Sequence, residues 1–302
     1  MRYLMATPAT LTQLGDKMGQ SPAWVRHHVK ILEEAGWIFV SEVRVSAGVN
    51  EKYYKARASA LLLQELILPN TSKPYIIFSG SHDNAIERIA AKLSRHLTLF
   101  VLPVGSLDGL INLRQYLCHI SGTHILNDDG ADYNTESVRH IFPDRNMVLV
   151  TMAHRTQGMI IAPGNPKGIR TIEDLLNPEI QFINRNPGSG TRMWVDRELA
   201  NLGLPTTEIS EYGYYVSTHS EAARMVKQGT ADAAIGIQSA AIDAGTDFIP
   251  LFEERYDLVF ERSNMRVVAP IIEYLRTPAF RKELNALSGY NTAHSGELVP
   301  VQ

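Results

Sequence analysis

Cysteine and long apolar runs are what this sequence of 302 residues most clearly lacks. Its one cysteine, Cys118, excludes a disulfide within the chain and any cysteine-rich metal site. No segment approaches the roughly 20 apolar residues that a transmembrane helix needs. The start of the chain, MRYLMATPATLTQ, has no apolar signal-peptide core, so we expect a cytoplasmic protein that does not engage a membrane.

The charge of the chain is small but unevenly distributed. Hydrophobic residues make up 44% and charged residues 20%, which is typical of a globular protein with buried cores. Residues 1–74 carry nine Lys/Arg against six Asp/Glu, a net of +3, whereas residues 75–302 carry 20 against 26, a net of −6. A basic N-terminal segment followed by an acidic remainder indicates two domains, and nucleic-acid contacts are expected in the N-terminal one.

Residues 10–36 have the apolar spacing of two consecutive helices. In the first, three apolar residues share one face: Leu11, Leu14 and Met18. The second begins at Ser21-Pro22, an N-cap followed by a proline suited to the first turn. Its expected buried stripe has spacings of i, i+4 and i+7: Val25, Val29 and Leu32. Together they form a helix-turn-helix pattern.

The other faces of the second helix, and the hairpin after it, carry the residues expected to contact DNA. On the helix these are Trp24, Arg26, His27 and Lys30. The segments WIFVSEVRV, SAGVNE and KYYKA form a predicted hairpin, or wing, whose basic residues are Arg44, Lys52 and Lys55. A metal pair at His27 and His28 is disfavoured, because neighbouring helical residues point about 100° apart.

LTQLGDKMGQSPAWVRHHVKILEEAGWI and the hairpin after it resemble the winged helix-turn-helix repressors of the arsenical-resistance type, over about residues 4–57. The resemblance implies a homodimer on a double-stranded DNA operator. Residues 62–68 and any residual first helix are the expected contacts between subunits. Two departures stand out: MRYLMA takes the place of a longer first helix, and the metal-binding cysteines of some relatives are absent. Sensing is therefore expected elsewhere in the chain.

From Tyr75 onward, predicted strands alternate with predicted helices, which indicates an α/β domain with mainly parallel sheets. Later strands are expected at 147–152, 158–162, 181–184, 232–237 and 248–251. The predicted organisation is a DNA-binding domain with a connecting helix at 1–68, a polar linker at 69–74, and a ligand domain at 75–302 whose second lobe covers about 155–250.

The stretch Phe182–Leu199, FINRNPGSGTRMWVDREL, places a strand end, a glycine-rich turn and a helix in succession. Unpaired N–H groups and the dipole at a helix start attract anions. We expect ligand contacts from Arg185, Gly188, Ser189, Gly190, Thr191 and Arg192. An anion would offset the unfavourable position of Arg192 in the first turn. The alternative is an ordinary turn, with Ser189 as N-cap and both arginines in surface ion pairs.

Two further strand-to-helix turns are candidates for the same site. Residues of these turns follow predicted strands in the first part of the ligand domain: Ser79, Gly80, Ser81, Gly105 and Ser106. Ligands of open α/β sheets bind at such strand ends, so we expect the three turns to converge between two lobes. Tyr256, on a predicted return strand, is expected to line the cleft or to pack at the hinge.

Residues 75–302 resemble the periplasmic-binding-protein-like sensor domain found fused to regulators and to molybdenum-cofactor biosynthesis proteins. The segments that carry the resemblance include SGSHD, VGSLDGL, HILNDDGADYN, RTQGMIIAPGNPKGI, NRNPGSGTR, THSEAARMVKQGTADAAIGI, ERYDLVF and GYNTAHSGE. The implied fold is a two-lobed type II α/β domain. Arg185 with Ser189-Gly190-Thr191 is also similar to the oxyanion-binding turn of phosphate- and tungstate-binding transport proteins. The Asp usual in that turn is replaced by Asn186-Pro187-Gly188, which favours molybdate or tungstate over phosphate.

Three classes of function remain open. The first is a transcription regulator, with molybdate or tungstate as its effector and no other cofactor; in one variant it senses an organic molybdenum-cofactor precursor between walls such as Trp194, Tyr214 and Tyr215. The second is a solute-binding transport receptor. The third is an enzyme with Ser189 as nucleophile, which is disfavoured because GSGT lacks the flanking pattern of a nucleophile elbow. His124 is interpreted as structural, and Thr218 as a helix cap.

Overall fold

The computed structural model describes residues 1–46, 48–58 and 73–301. It divides the chain into two compact units, Met1–Ile67 and Leu68–Gln302. Most of the predicted linker at 69–74, and all of the predicted subunit contact at 62–68, lie outside the described residues.

The first unit consists of three helices followed by an antiparallel hairpin. Its elements are α1 (Arg2–Ala6), α2 (Leu11–Met18), α3 (Pro22–Glu34), β1 (Ile38–Ser46) and β2 (Val49–Ala56). Thr10 and Gln13 form a capping box at the start of α2, and Gly19, at φ +64°, ends that helix. Ser21 caps α3, with Pro22 in the first turn as expected.

A small apolar core joins these elements. Its buried members are Leu4, Ala9, Leu14, Val25, Val29, Ile38, Tyr54 and Ala56, with Leu11 and Leu32 packed against them. The prediction that Met18 belongs to this face is wrong, because its side chain is 41% exposed. Met18 is the last residue of α2, directly before the left-handed turn at Gly19, so its side chain lies beyond the core.

The second unit is an α/β domain, as predicted. The prediction of mainly parallel sheets is wrong, because two long strands pair antiparallel with their neighbours and make the sheet mixed. The elements of this unit alternate through most of its length. They are β3 (Tyr75–Gly80), α4 (Asn84–Leu93), β4 (Thr98–Pro103), α5 (Ser106–Arg114), β5 (Ile120–Thr123), α6 (Thr135–Ile141), β6 (Met147–Ile161), β7 (Phe182–Arg185), α7 (Gly190–Asn201), β8 (Tyr215–Val216), α8 (His219–Lys227), β9 (Ala233–Ile237), α9 (Gln238–Ala244), β10 (Asp247–Glu261), α10 (Met265–Leu275), α11 (Pro278–Asn285), β11 (Tyr290–Asn291) and β12 (Leu298–Val299). No helix among the described residues is long and apolar enough to span a membrane.

Two long antiparallel strands organise this unit. The strand order is β4-β3-β5-β10-β6-β9-β7-β8, with β3 parallel to its two neighbours and β7 parallel to its own two. We call the β3–β5 side, with α4, α5, α10 and α11, the first lobe, and the β7–β9 side, with α7 to α9, the second lobe. Each lobe has its own buried apolar clusters. The strands β6 and β10 run through both lobes.

Two strand predictions need correction. The strands expected at 147–152 and 158–162 form one continuous strand, β6, and the short strand expected at 248–251 is part of the 15-residue β10. Arg155 and Gln157 continue the strand between the two predicted segments because their buried side chains have partners inside the protein. Cys118 is buried, and burial raises the pKa of its thiol to about 12.

Candidate functional site

The two long strands carry polar side chains at the point where they pass from one lobe to the other. Arg155 of β6 lies directly opposite Glu254 of β10, and all members of the group are buried: Arg155, Gln157, Glu254 and Tyr256. Side chains two residues apart on a strand point to the same face, so each strand contributes a pair. The crossing of β6 and β10 is therefore a buried polar floor between the lobes.

Arg155 is the centre of an ion network on this floor. Its guanidinium donates to Asp83 of the first lobe and to Glu254. The Gln157 amide donates to Glu254 at 2.9 Å and to the hydroxyl of Thr191, in the second lobe, at 3.1 Å. Burial opposes ionisation of Glu254, but Arg155 and His124 outweigh it and lower the pKa of Glu254 to about 2. The network thus connects the first lobe through Asp83 and Arg155 with the second lobe through Gln157 and Thr191.

His124 connects the floor to the predicted turns of the first lobe. Its Nε2 lies 2.9 Å from the hydroxyl of Ser81, and its Nδ1 lies 2.6 Å from a carboxylate oxygen of Glu254. Its backbone N–H donates to the hydroxyl of Ser106 at 3.3 Å. Burial lowers the pKa of His124, partly offset by Glu254. His124 is therefore a buried residue held by protein partners, as interpreted from the sequence, and it contacts two of the predicted site residues, Ser81 and Ser106.

The turn at 186–190 in the second lobe meets the turn at 104–107 in the first. The Asn186 amide donates to the carbonyl of Val104 at 2.9 Å, and the backbone N–H of Leu107 donates to the carbonyl of Gly188 at 3.0 Å. Gly105 and Gly188 hold positive φ values of +111° and +78°, which glycine adopts without strain. Two of the predicted turns therefore lie side by side, with the starts of α5 and α7 close together.

Gly190 provides a prediction about this contact. A Cβ on Gly190 would lie 2.5 Å from the carbonyl oxygen of His124, so Gly190→Ala must push α7 away from the first lobe. We expect it to lower the free energy of unfolding by about 1–3 kcal/mol, measured by urea denaturation. Gly213, around which a Cβ meets nothing, is the control: Gly213→Ala should change stability by less than about 0.5 kcal/mol. Equal effects of both substitutions would contradict a tight contact at Gly190.

Arg185 is the most unusual group of the site. Its side chain is buried, and Nη2 donates to the carbonyl of Ser217 at 2.9 Å. Its Nε and Nη1 have no acceptor among the described residues, and Glu254 and Glu221 act on it only at longer range. Burial, reinforced by Arg155, lowers the pKa of Arg185 to about 10. Buried charges are ordinarily paired, so this guanidinium has the chemistry of an anion site.

Arg192 does not belong to that site, which corrects the prediction. Its Nε pairs with Asp196 at 2.8 Å, one helical turn later, and its guanidinium lies 4.2 Å from the ring centroid of Tyr212. The Asp196 carboxylate offsets the unfavourable position of the Arg192 cation in the first turn of α7, and no ligand is needed for this. The ordinary-turn interpretation thus describes Arg192, and also Ser189, whose hydroxyl accepts from the Arg192 N–H at 3.2 Å. It fails for Arg185, which is buried.

The remaining predicted contacts lie in three places. Ser81, Ser106, Ser189, Gly190 and Thr191 lie around His124, Gln157 and the helix starts. Ser79 and Gly80 lie behind the turn: the Ser79 hydroxyl accepts from Asn112 at 2.9 Å, and the backbone of Gly80 packs on Gly122. Tyr256 packs beneath the site, where its hydroxyl donates to the carbonyl of Ser81 at 2.7 Å.

The aromatic residues considered as walls for an organic ligand lie elsewhere. Trp194 stacks on Phe252 with ring centroids 3.9 Å apart, so it is a core residue of the second lobe. Tyr214 and Tyr215 are 67% and 54% exposed. Thr218 caps α8 by accepting from the Glu221 N–H, as predicted. The observed site is therefore polar rather than aromatic.

The sequence analysis did not identify four polar residues of this floor and its network: Asp83, Arg155, Gln157 and Glu254. One signal was available, because Arg155 and Gln157 occupy alternating positions in a strand whose two ends are largely apolar, MVLVTMAHRTQGMII, and such a pair on one face of a buried strand needs partners. For Thr218 and His219, which precede or begin α8, the sequence favours helix capping over ligand contact.

The predicted DNA contacts of the first unit are all exposed: Trp24, Arg26, His27, Lys30, Arg44, Lys52 and Lys55. A groove of about 550 Å³ lies between α3 and β2, and Arg26, Lys30 and Lys52 line it, together with Glu33 and Glu51. Two of the basic groups have acidic neighbours, since Lys30 lies 3.6 Å from Glu34 and Arg44 lies 2.7 Å from Glu42.

Residues 87–276, more than half of the chain, match the family model described as a PBP superfamily domain. The uncharacterized protein YvgK of Bacillus subtilis is 35% identical over 195 residues, which cover 65% of this chain and 63% of that protein. The chain thus spans less than two thirds of that relative's length.

Two solved structures share the fold of the second unit. The sulfate-binding protein SubI of Mycobacterium tuberculosis has a TM-score of 0.52 at 16% identity, covering 72% of this chain and 86% of that one. The tungstate ABC transporter structure from Geobacter sulfurreducens has a TM-score of 0.50 at 12% identity, covering 70% and 98%. Both carry the names of binding or transport proteins rather than enzymes.

Proposed function

We propose that this chain, which belongs to the PBP superfamily, binds a small oxyanion between the two lobes of its second unit. The observation that carries the proposal is Arg185, whose buried guanidinium has two N–H groups that no described residue accepts. An oxyanion beside Arg185 would accept from both and would neutralise its charge.

The surroundings of Arg185 support the same ligand class. Three helices of nine residues or more begin near this region, α5 at Ser106, α7 at Gly190 and α8 at His219, and each offers N–H groups and a partial positive charge. The hydroxyls of Ser106, Ser189 and Thr191 are buried beside them. Structures with this fold carry the names of a sulfate-binding protein and a tungstate ABC transporter, which agrees with an oxyanion.

We favour molybdate or tungstate over phosphate. A protonated phosphate needs an acceptor for its proton, and the turn from Asn186 to Gly188 provides no carboxylate. The nearest acidic group of the floor, Glu254, is already engaged with Arg155, Gln157 and His124. A fully deprotonated dianion accepts hydrogen bonds only, which suits a site composed mainly of donors.

Calorimetric titration with molybdate, tungstate, sulfate and phosphate tests this proposal. We expect at least one of the first two to bind well below millimolar dissociation constants. If none of the four binds more tightly than millimolar, about −4 kcal/mol, the oxyanion proposal fails. A small organic anion, such as a molybdenum-cofactor precursor, would then be the ligand to test.

We further propose that the first unit is a winged helix-turn-helix domain and that the whole protein is a ligand-responsive transcription regulator in the cytoplasm. In support, α3 buries Val25 and Val29 and exposes its polar faces, and an antiparallel hairpin with basic residues follows it. A solute-binding protein that carries ligand without regulating transcription accounts for the second unit equally well. Binding of the protein to DNA separates the two functions.

The DNA prediction concerns Arg26 and Lys30 on α3. Replacing both with Ala should weaken binding to duplex DNA and reduce the slope of log affinity against log salt by about 2, because each phosphate contact releases about one counterion. Fluorescence anisotropy at several salt concentrations measures both quantities. Arg88→Ala with Arg95→Ala, an equal loss of charge from exposed positions of the second unit, is the control and should leave the slope unchanged. An unchanged slope in the first double variant would refute the assignment.

A homodimer is expected if the first unit binds DNA, because one winged helix-turn-helix domain recognises only a short DNA sequence. The first units of two subunits would occupy half-sites about one helical turn, roughly 34 Å, apart. Light scattering at concentrations that saturate DNA should therefore give twice the monomer mass of 33.6 kDa. A monomeric mass with full DNA binding would contradict this prediction.

A further inference from the structure

His219 is a buried imidazole whose two ring nitrogens both lack a partner among the described residues. It is the first residue of α8, two positions after Ser217, whose carbonyl accepts from Arg185. Its ring centroid lies 6.5 Å from that of His124. An imidazole in this position, within electrostatic range of the buried Arg185 guanidinium, can contact an anion that Arg185 binds.

The formal charges around His219 already cancel before any ligand arrives. Two guanidinium groups, Arg155 and Arg185, face two carboxylates, Asp83 and Glu254, and all four are buried. A dianion therefore brings two negative charges into a neutral, buried cluster. The helix starts offer fixed partial charges, and only the histidines can add a full positive charge by taking up a proton.

We propose that His219 is a further ligand contact and that it takes up a proton when the oxyanion binds. This inference rests on the proposed oxyanion function. The charged and titratable groups acting on His219 come from several elements: Arg185 from β7, Arg155 from β6, and His124 and His82 from the turns after β5 and β3. All of them disfavour imidazolium, and an anion between His219 and Arg185 reverses that balance.

The direction of the titration follows from these surroundings. Burial, and then Arg185 and Arg155, lower the pKa of His219 well below its usual value, so the imidazole is neutral in the protein without anion. A bound dianion stabilises the protonated form and raises the pKa of His219 again. Linkage then requires affinity to rise as pH falls, by about tenfold per pH unit for each proton taken up.

Two other buried histidines lie in this region, His82 and His124. His82 pairs with Glu87 at 3.0 Å, and His124 is also less suited to this role. Both of its ring nitrogens have neighbours within 3 Å, the Ser81 hydroxyl at 2.9 Å and the Glu254 carboxylate at 2.6 Å. Its charge state is therefore coupled to Glu254 rather than to the ligand. His219 has both nitrogens available, so the proton is assigned to His219.

Calorimetry in buffers of different ionisation enthalpy counts the protons. The heat of molybdate binding at about pH 7, plotted against buffer ionisation enthalpy, has a slope equal to the protons taken up. Molybdate and sulfate remain dianions near neutral pH, so the slope reports on the protein. We expect about one proton for the unchanged protein and close to none for His219→Gln. His140→Gln, at an exposed position of α6, is the matched control and should behave like the unchanged protein.

The outcomes separate this inference from the function on which it rests. No binding of any oxyanion would refute the proposed function itself. Binding without proton uptake would overturn the role of His219 and leave oxyanion binding intact. If His219→Gln fails to fold, sulfate affinity of the unchanged protein between about pH 6 and about pH 8 still decides, because a flat profile excludes proton uptake. Loss of uptake in His124→Gln, with uptake retained in His219→Gln, would overturn the assignment to His219.

Discussion

Replacing Arg185 with methionine should abolish oxyanion binding and leave the ligand-free protein at least as stable as the parent. The lowering of the Arg185 pKa from 12.5 to about 10 in this buried position corresponds to a cost on the order of 3 kcal/mol. Methionine removes that cost and forfeits one hydrogen bond to Ser217, worth about 1 kcal/mol. Two charge-assisted hydrogen bonds to the anion would be lost, so affinity should fall at least about a hundredfold.

Calorimetry with molybdate and thermal unfolding without it measure the two halves of this prediction. Arg192→Met is the matched control, since Arg192 is in the same turn and pairs with Asp196. It should retain most of the affinity. In the proposed regulator, Arg185→Met or Arg185→Ala should also lose the response to the effector while DNA binding without effector is unchanged. Full oxyanion affinity in Arg185→Met would contradict the assigned site.

Replacing Arg155 with methionine should have the largest effect on stability. It leaves the carboxylates of Asp83 and Glu254 buried without their cation, a change that costs about 3–5 kcal/mol. Arg114→Met is the control, because the Arg114–Asp144 pair is exposed and such pairs contribute about 1 kcal/mol or less. Urea denaturation of both variants measures the difference. Equal losses would show that the buried network contributes no more than a surface ion pair.

The same network gives the stability of the protein a defined dependence on pH. The pKa of Glu254 is about 2 in the folded protein, below its ordinary value of 4.5. A depressed carboxyl pKa contributes stability that is present above the unfolded pKa and is lost as pH falls toward the folded one. Protonation of Glu254 should therefore lower the free energy of unfolding by on the order of 3 kcal/mol between about pH 5 and about pH 2. In Glu254→Gln this part of the acid transition should be absent.

The turns of the site could be predicted because their signals are local. A strand end, small residues and a helix start are consecutive in the sequence at Ser81, Ser106 and Ser189. Such turns present backbone N–H groups whatever the rest of the fold is. Their meeting follows from the order of parallel strands. The α/β class of the second unit was predictable for the same reason, since it depends on alternation along the chain.

The floor of the site could not be predicted in this way. Arg155 and Glu254 are 99 positions apart, and their contact depends on the register of β6 on β10, including two irregularities along that pairing. The pairing of Arg192 could have been predicted, because Asp196 lies one helical turn later in the sequence and offsets the effect of the helix dipole on Arg192. At His219 the sequence favours helix capping over ligand contact, because its burial and the electrostatic influence of Arg185 depend on the folded chain.

The central claim is that Arg185 binds an oxyanion, and crystals grown with tungstate test it most directly. The anomalous difference density at the tungsten absorption edge locates the metal centre without reference to any model. The account predicts one strong peak between the lobes, with tungstate oxygens within hydrogen-bond distance of Nε and Nη1 of Arg185 and a ring nitrogen of His219. A tungstate peak elsewhere, or none at saturating tungstate, would contradict it.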